Sequence, residues 1–426
     1  MSNDAAMKML RWAYLPECEN PPQGWSVRRF TEIAKVIAGQ SPPSDTYNDK
    51  GDGLPFLQGN ADFSFKHPVP SLWCSLPQKT AQAGDTLISV RAPVGEVNRA
   101  DCDYAIGRGL AAIRANADPD FLYYAMQRWR QCLQRVAQGT TFDAVTARHF
   151  ARLFVAIPPP AEQAAIARIF DTVDKAIELT SKAVELARVL DHSLLNRLLE
   201  YGLVAGSGQK LKRPAHWQIR RVDEVAEVGS GVTLGRDVSG SKYVELPYLR
   251  VANVQDGHLD LSVIKTVKVR IEEVDRYRLE PGDVLMTEGG DLDKLGRGTL
   301  WEGQIPDCLH QNHIFRIRAN RAVLDPRFFA YVVESDITKG YFLRVAKRTT
   351  NLASTNKTQV RAFRFPVPPL REQERIVEIV SAAKAQLRGL MRKEEALRRL
   401  KQSLMRDLLT GKVRVNNLNL AATAIS

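Results

Sequence analysis

The chain has 426 residues, 44% of them hydrophobic and 25% charged, with a formal net charge of +12 at pH 7, which is the balance of globular domains rather than of a disordered or fibrous chain. No run approaches the ~18 consecutive apolar residues of a membrane span, and Met1 to Met9 lacks the basic start and apolar core of a secretion signal. The five cysteines (Cys18, Cys74, Cys102, Cys132, Cys308) are odd in number and contain no Cys-x-x-Cys, which speaks for thiols in a reducing cytoplasm and against a disulfide framework or a metal site. The basic excess favours a polyanionic partner such as nucleic acid.

In chain order, an arm over 1–21 leads into a Gly- and Pro-rich segment over 22–157. It opens on Pro22-Gln23-Gly24-Trp25-Ser26-Val27-Arg28-Arg29. The turn Ala83-Gly84-Asp85 introduces a strand over Thr86–Val90, and the apolar spacing over Asp120–Arg135 predicts a helix. Pro158-Pro159-Pro160-Ala161-Glu162-Gln163 then leads into a stretch that reaches Gly202 with no further Gly or Pro. Ile166, Ile169, Val173, Ile177, Thr180, Ala187, Leu190, Leu194 and Leu198 recur along it at helical spacing. After a linker over 203–213, a second globular segment over 214–367 begins with Pro214-Ala215-His216-Trp217-Gln218-Ile219-Arg220-Arg221. Strands are predicted over Val284–Met286 and His313–Ile317, and a helix over Pro326–Lys339. Pro368-Pro369-Leu370-Arg371-Glu372-Gln373 opens a last helix over 368–412, and a tail occupies 413–426.

These elements form two copies of one unit. Trp25 and Trp217 are 192 positions apart, Gly84-Asp85 and Gly282-Asp283 198, Asp118-Pro119 and Asp325-Pro326 207, and Glu162-Gln163 and Glu372-Gln373 210. An offset that only grows, in one order, describes duplication with small loop insertions, and a period near 200 residues makes each copy a domain of its own. Adding 210 to the first stripe yields Ile376, Ile379, Ala383, Leu387, Leu390, Leu397, Leu400, Leu404 and Leu408. A helix of 40 residues is ~60 Å long, and such a stripe calls for a partner helix. The simplest arrangement pairs the two helices antiparallel, one globular domain on each. The helix over 160–202 carries a net charge of −2 and that over 370–412 one of +5, so the remaining excess of +9 sits mostly in the globular segments.

Catalytic signatures are absent. No Asp or Glu stands two residues before any Lys, as the common nuclease pattern requires, and the one Gly-Lys pair, Gly411-Lys412, is followed by Val413 rather than by Ser or Thr. His-Glu-x-x-His is missing. Asn20-Pro21-Pro22-Gln23 lacks the aromatic residue with which amino-methyltransferases stack a flipped base, and is expected to be a turn. His310-Gln311-Asn312-His313 lacks further metal ligands at suitable spacing and is expected at a loop-to-strand junction, where Gln311 and Asn312 could pair two edges of adenine. Ile106-Gly107-Arg108-Gly109 occupies the matching place in the first copy, with Arg108 suited to a different base. Thr140-Thr141 and Thr349-Thr350, the latter behind Lys347-Arg348, suit phosphate contacts as well as they suit turns.

Taken together, the duplicated Trp segments, the Gly-Asp strands, and Pro-Pro-x-x-Glu-Gln before each long helix resemble the specificity subunits of type I restriction–modification systems over nearly the whole chain. The resemblance implies a mixed α/β (α+β) fold in which two similar target-recognition domains are separated by two long antiparallel coiled-coil helices, related by a pseudo-twofold repeat. It implies a cytoplasmic, non-catalytic subunit that binds double-stranded DNA at a bipartite asymmetric site, one domain per half-site. Its partners would be two methyltransferase subunits and restriction/translocase subunits, with S-adenosylmethionine, ATP and Mg on those partners, none in this chain, and no membrane. The DNA-contact candidates are Arg91, Arg108, Thr140, Thr141, Arg250, Asn253, Arg297, Gln311, Asn312, Lys347, Arg348, Thr349 and Thr350. Candidates for the helical spacer and partner docking are Glu162, Gln163, Ile166, Leu194, Leu198, Glu372, Gln373, Ile376, Leu404 and Leu408. A coiled-coil scaffold without a DNA role is one rival, disfavoured by the basic globular segments. The recognition subunit of a single-chain (type IIG-like) restriction–methylation enzyme is another, if a separate partner supplies the catalysis.

Overall fold

A computed structural model describes residues 15–137, 145–203, 212–235, 242–290, 295–348 and 353–415. The chain divides into two units, Met1–Lys182 with Met391–Ser426, and Ala183–Leu390. In the first, strand Ser26–Arg29 pairs antiparallel with Phe154–Ile157, so the segment after Trp25 lies beside the one that leads into Pro158. A four-stranded sheet follows the order Ala34–Ala38, Leu110–Ala115, Thr86–Ser89, Val97–Arg99. Helix α1 (Pro119–Ala137) contributes Phe121, Leu122, Tyr124, Met126 and Trp129 to a core shared with Phe30, Ile88 and Ile113. A second, five-stranded sheet contains the parallel pair Leu54–Leu57 and Tyr104–Ile106, with Leu57 opposite Ile106.

The Ala183–Leu390 unit repeats this plan. Gln218–Arg221 pairs with Arg364–Val367, and a four-stranded sheet runs Ala226–Ser230, Ile314–Ala319, Asp283–Thr287, Gly298–Leu300. Tyr243–Leu249 lies parallel to Leu309–His310, with Leu249 opposite His310. The helix expected over Pro326–Lys339 is instead two, Pro326–Glu334 and Asp336–Val345. Ser335 between them is extended (φ −79°, ψ 163°). The Ser335 and Thr338 hydroxyls both donate to the Val332 carbonyl at 2.6 Å, and this side-chain capping replaces the next backbone hydrogen bond.

The long helices begin at the first residue that the preceding prolines permit. Helix α2 (Pro160–Tyr201) has Pro160 in its first turn, where no N–H is needed, and α5 (Leu370–Leu408, counting the two short helices just described as α3 and α4) follows Pro368-Pro369. In the first unit, Ile166 and Phe170 of α2 share a core with Leu408 of α5 and Leu409 just beyond it. In the second, Leu195, Leu198 and Leu199 of α2 share one with Ile376, Val377 and Val380 of α5. Each unit thus joins the start of one helix to the end of the other, which is the antiparallel pairing. The buried set departs from the expected stripe. Leu190 and Leu400 are 64% and 46% exposed, and Leu194 and Leu404 are half-buried at the rims of the two cores. Where a helix packs against both a partner helix and a globular domain it buries a broader face than a coiled-coil seam, so Phe170, Leu195, Leu199 and Val380 join the core. No helix among the described residues is long and apolar enough to cross a membrane.

Candidate nucleic-acid interface

The Glu-Gln residues at the start of each long helix hold the globular domain to it. Glu162, buried, accepts from Trp25 Nε1 at 3.1 Å and from Arg414 Nε and Nη2, both at 2.7 Å. In the second copy Glu372 accepts from Trp217 Nε1 at 2.9 Å and meets His216 Nε2 at 2.6 Å. Gln163 donates to the Pro158 carbonyl at 2.8 Å. Gln373 donates to Pro368 and Val323 and accepts from the Asp325 N–H, all within 2.9 Å. Glu162, Gln163, Glu372 and Gln373, expected at the helical spacer and partner docking, thus all make bonds within the chain. Glu162, Gln163 and Gln373 are buried.

At the ends of the sheets, both domains build the same frame from backbone hydrogen bonds. In the first, Gln40 N–H donates to Ile106 O, Gly107 N–H to Leu57 O, Val90 N–H to Gly109 O, and Val145 N–H to Val90 O, at 2.8–2.9 Å. In the second, Val232 N–H donates to His310 O, Gln311 N–H to Leu249 O, Glu288 N–H to His313 O, and Thr355 N–H to Glu288 O, at 2.7–2.9 Å. The loops meet so closely that a Cβ on Gly39 would lie 2.1 Å from Gly107 O, and one on Gly231 1.9 Å from His310 O. Glycine is required at both places.

The frame is shared; the side chains it displays are not. The first copy presents Gln40, Gln58, Arg91 and Arg108, all exposed. At the matching places of the second stand Val232, Arg250, Gly289 and Asn312, flanked by Gln311 and His313. Gln40, Gln58, Arg91, Gln311 and Asn312 make no side-chain hydrogen bond among the described residues, and Arg108 makes a 3.4 Å contact to Ser41 Oγ. Arg250 is half-buried and donates through Nη2 to Val263 O at 3.1 Å. Glu288, Gly289, Gly290, His313 and Lys347 line a depression of about 580 Å³ beside this frame, and His313 Nδ1 contacts Glu288 Oε2.

Two of the residues expected to contact DNA make side-chain hydrogen bonds within the chain. Asn253 is buried; its Oδ1 accepts from the Arg250 N–H at 2.8 Å and its Nδ2 donates to Asp260 O at 2.7 Å and Val263 O at 3.1 Å. No edge of this amide is left for a base. Arg297, half-buried, donates to Gln255 Oε1 at 2.6 Å. The backbone of Lys347 and Arg348 pairs with Ser354 and Ala353, whereas Thr140, Thr141, Thr349 and Thr350 lie outside the described residues. Composition gave no signal for Gln40 and Gln58; their place beside the glycine-tight loops supplies it. His310 belongs to the core: burial lowers its pKa to about 4, and Nδ1 lies 3.0 Å from Tyr277 O. Among the described residues, no group of three or more His, Cys, Asp and Glu side chains could hold a metal ion.

A duplicated α/β frame that exposes different polar side chains on each copy, each copy packed on the same two long helices, defines a recognition subunit with two related domains. The type I restriction modification DNA specificity domain matches the chain twice, over residues 22–186 and 214–397, and the chain belongs to this family of specificity subunits. It is 38% identical over 183 residues to the protein assigned as the MjaX type I restriction enzyme specificity subunit of Methanocaldococcus jannaschii, a match covering 42% of this chain and 43% of that one. With the MjaVIII specificity subunit of the same organism it shares 23% identity over 417 residues, 93% of this chain and 95% of that one. Its fold is that of the type I restriction–modification S subunit from M. genitalium, with a TM-score of 0.58 at 16% identity over 91% of this chain and 97% of that structure.

Proposed function

We propose that the chain reads a split, asymmetric DNA sequence, each domain taking one half-site through its end-of-sheet loops while the paired helices fix the gap between halves. The observation that carries this reading is the conserved backbone frame with exchanged side chains. Two identical frames displaying identical groups would suit a palindrome, since the symmetry of a site mirrors that of its reader. Unlike groups suit unlike halves. Arg108 offers the paired donors that match guanine O6 and N7, and Gln311 and Asn312 the donor–acceptor amides that match adenine N6 and N7. The basic excess of the globular segments supplies sequence-independent attraction to phosphates. In this reading the chain lends specificity to methyltransferase subunits that use S-adenosylmethionine to methylate adenine, and to an ATP- and Mg-dependent translocase and nuclease. Co-expression with a methyltransferase subunit of the same system, followed by genome-wide mapping of methylated adenines, tests it. A single two-part asymmetric motif with a fixed gap is expected; a palindromic or continuous motif contradicts the reading.

A further inference from the structure

The 210-residue shift that relates the copies matches Asp174 of α2 with Lys384 of α5, and Asp191 of α2 with Lys401 of α5. In the first unit Lys401 Nζ stands 2.7 Å from Asp174 Oδ1, and these side chains are only 16% and 2% exposed. In the second, Lys384 Nζ stands 3.4 Å from Asp191 Oδ2 and 2.8 Å from Glu334 Oε2, all three side chains being largely buried. Each ammonium also lies over a tyrosine of its own domain, Lys401 5.6 Å from the Tyr124 ring and Lys384 5.7 Å from the Tyr331 ring. Both tyrosines occupy one place in the repeat, 207 positions apart. Both domains are thus built to receive a lysine. Helix α5 supplies it each time, and α2 supplies an acid each time, joined in the second unit by the nearer Glu334 of α3.

We infer that these two pairs are a charge code by which the helix seam selects its partner: α2 accepts α5, and each helix rejects a second copy of itself. Apolar residues at the ends of the seam are alike, Ile166 and Leu198 of α2 matching Ile376 and Leu408 of α5, so the charged pairs distinguish the helices there. Two α5 helices from separate chains, paired in the same antiparallel register, would set Lys384 against Lys401 twice. Two α2 helices would set Asp174 against Asp191 twice. Like charges held this far from water are weakly screened and costly to bring together, and misplaced buried charge is how paired helices exclude wrong partners. The net charges of −2 and +5 along the two helical stretches act in the same sense. The consequence is that one chain closes on itself and keeps two unlike domains, instead of dimerising through like helices into an object with two identical ones. The inference stands whether or not the loops read DNA.

The test uses full-length chains, all carrying Glu334→Gln, since glutamine occupies the equivalent position, Gln127, in the first copy. An acidic chain (K384D/K401D), a basic chain (D174K/D191K) and a chain with all four substitutions are compared by thermal melting and native mass spectrometry. The acidic and basic chains should each lose about 10 °C of melting midpoint. The fully reversed chain should regain at least half of that loss and the monomeric mass of the parent. Co-expressed, the acidic and basic chains should form a one-to-one heterodimer, because each offers the charge that the other's helices lack. Acidic and basic chains that melt with the parent, a reversed chain no more stable than either, or co-expressed chains that do not associate would each overturn the code.

Discussion

Gly202, just past the end of α2, abuts the indole of Trp217: a Cβ added there would stand 2.8 Å from Trp217 Cζ2, and the residue has a φ of +72°. The far end of α5 does the same to the other domain, where a Cβ on Gly411 (φ +67°) would lie 2.4 Å from Pro22 Cγ and 3.2 Å from Trp25 Cζ2. Each tryptophan therefore touches both helices, bonding the first turn of one through Glu162 or Glu372 and packing on the terminus of the other. Gly202→Ala and Gly411→Ala should each cost about 2–3 kcal/mol, from left-handed strain and a displaced indole together. Urea unfolding followed by tryptophan fluorescence measures the loss, and an unchanged midpoint for both variants would show that the contact is not needed.

The seam makes a graded forecast. Leu198 is buried and Leu190 64% exposed, although both belong to one sequence stripe. Leu198→Lys should cost about 3–5 kcal/mol by burying a charge among leucines, whereas Leu190→Lys should stay within about 0.5 kcal/mol. Equal costs, read from chemical denaturation, would mean that the stripe rather than the observed burial describes the packing.

His310 ties stability to pH. Its folded pKa is about 4, lowered by burial from an ordinary 6.5. Between these values the unfolded chain binds a proton that the folded chain does not, so the stabilising contribution is present above pH 6.5 and is lost as pH falls toward 4. The full effect is about 3 kcal/mol. His310→Gln should flatten the stability profile between pH 7 and 4.5 relative to the parent, whatever its stability at neutral pH. Parallel profiles for parent and variant would contradict the assignment.

Frame and display should separate under mutation. Asn253→Ala leaves the Arg250 N–H and the Asp260 carbonyl without their partner and takes one of two donors from the Val263 carbonyl, a loss of about 2–3 kcal/mol, and should leave the methylated motif unchanged. Gln58→Ala and Arg108→Ala remove exposed side chains, so stability should hold within about 0.5 kcal/mol while one half of the motif relaxes or occupancy falls. Denaturation and methylation mapping on the same variants distinguish the two behaviours.

The duplication, the strands around Thr86 and Asp283 and both long helices were legible because glycines, prolines and apolar spacing record backbone requirements directly. The Trp25 and Glu162 motifs were visible as separate recurrences, but not as hydrogen-bond partners, since their spacing of 137 residues carries no trace of the contact. That neighbouring backbone takes up the Asn253 amide is visible only in the fold. Conversely, Gln40 and Gln58 carried no pattern at all. What marks them is the close approach of Gly39 to Gly107 and of Gly109 to the Gln58 carbonyl, where a Cβ would come within 2.6 Å, a constraint distributed over three distant loops.

The central claim, that two independent readers share one spacer, is tested most directly by exchanging residues 214–367 for the matching segment of another specificity subunit and mapping the methylated adenines. One half of the motif should change to that of the donor, with the other half and the gap between them unaltered, because base contacts reside within each domain and the exchange leaves α2 and α5 intact. A chimera that folds and supports methylation, but in which both halves of the motif change together, would contradict the account.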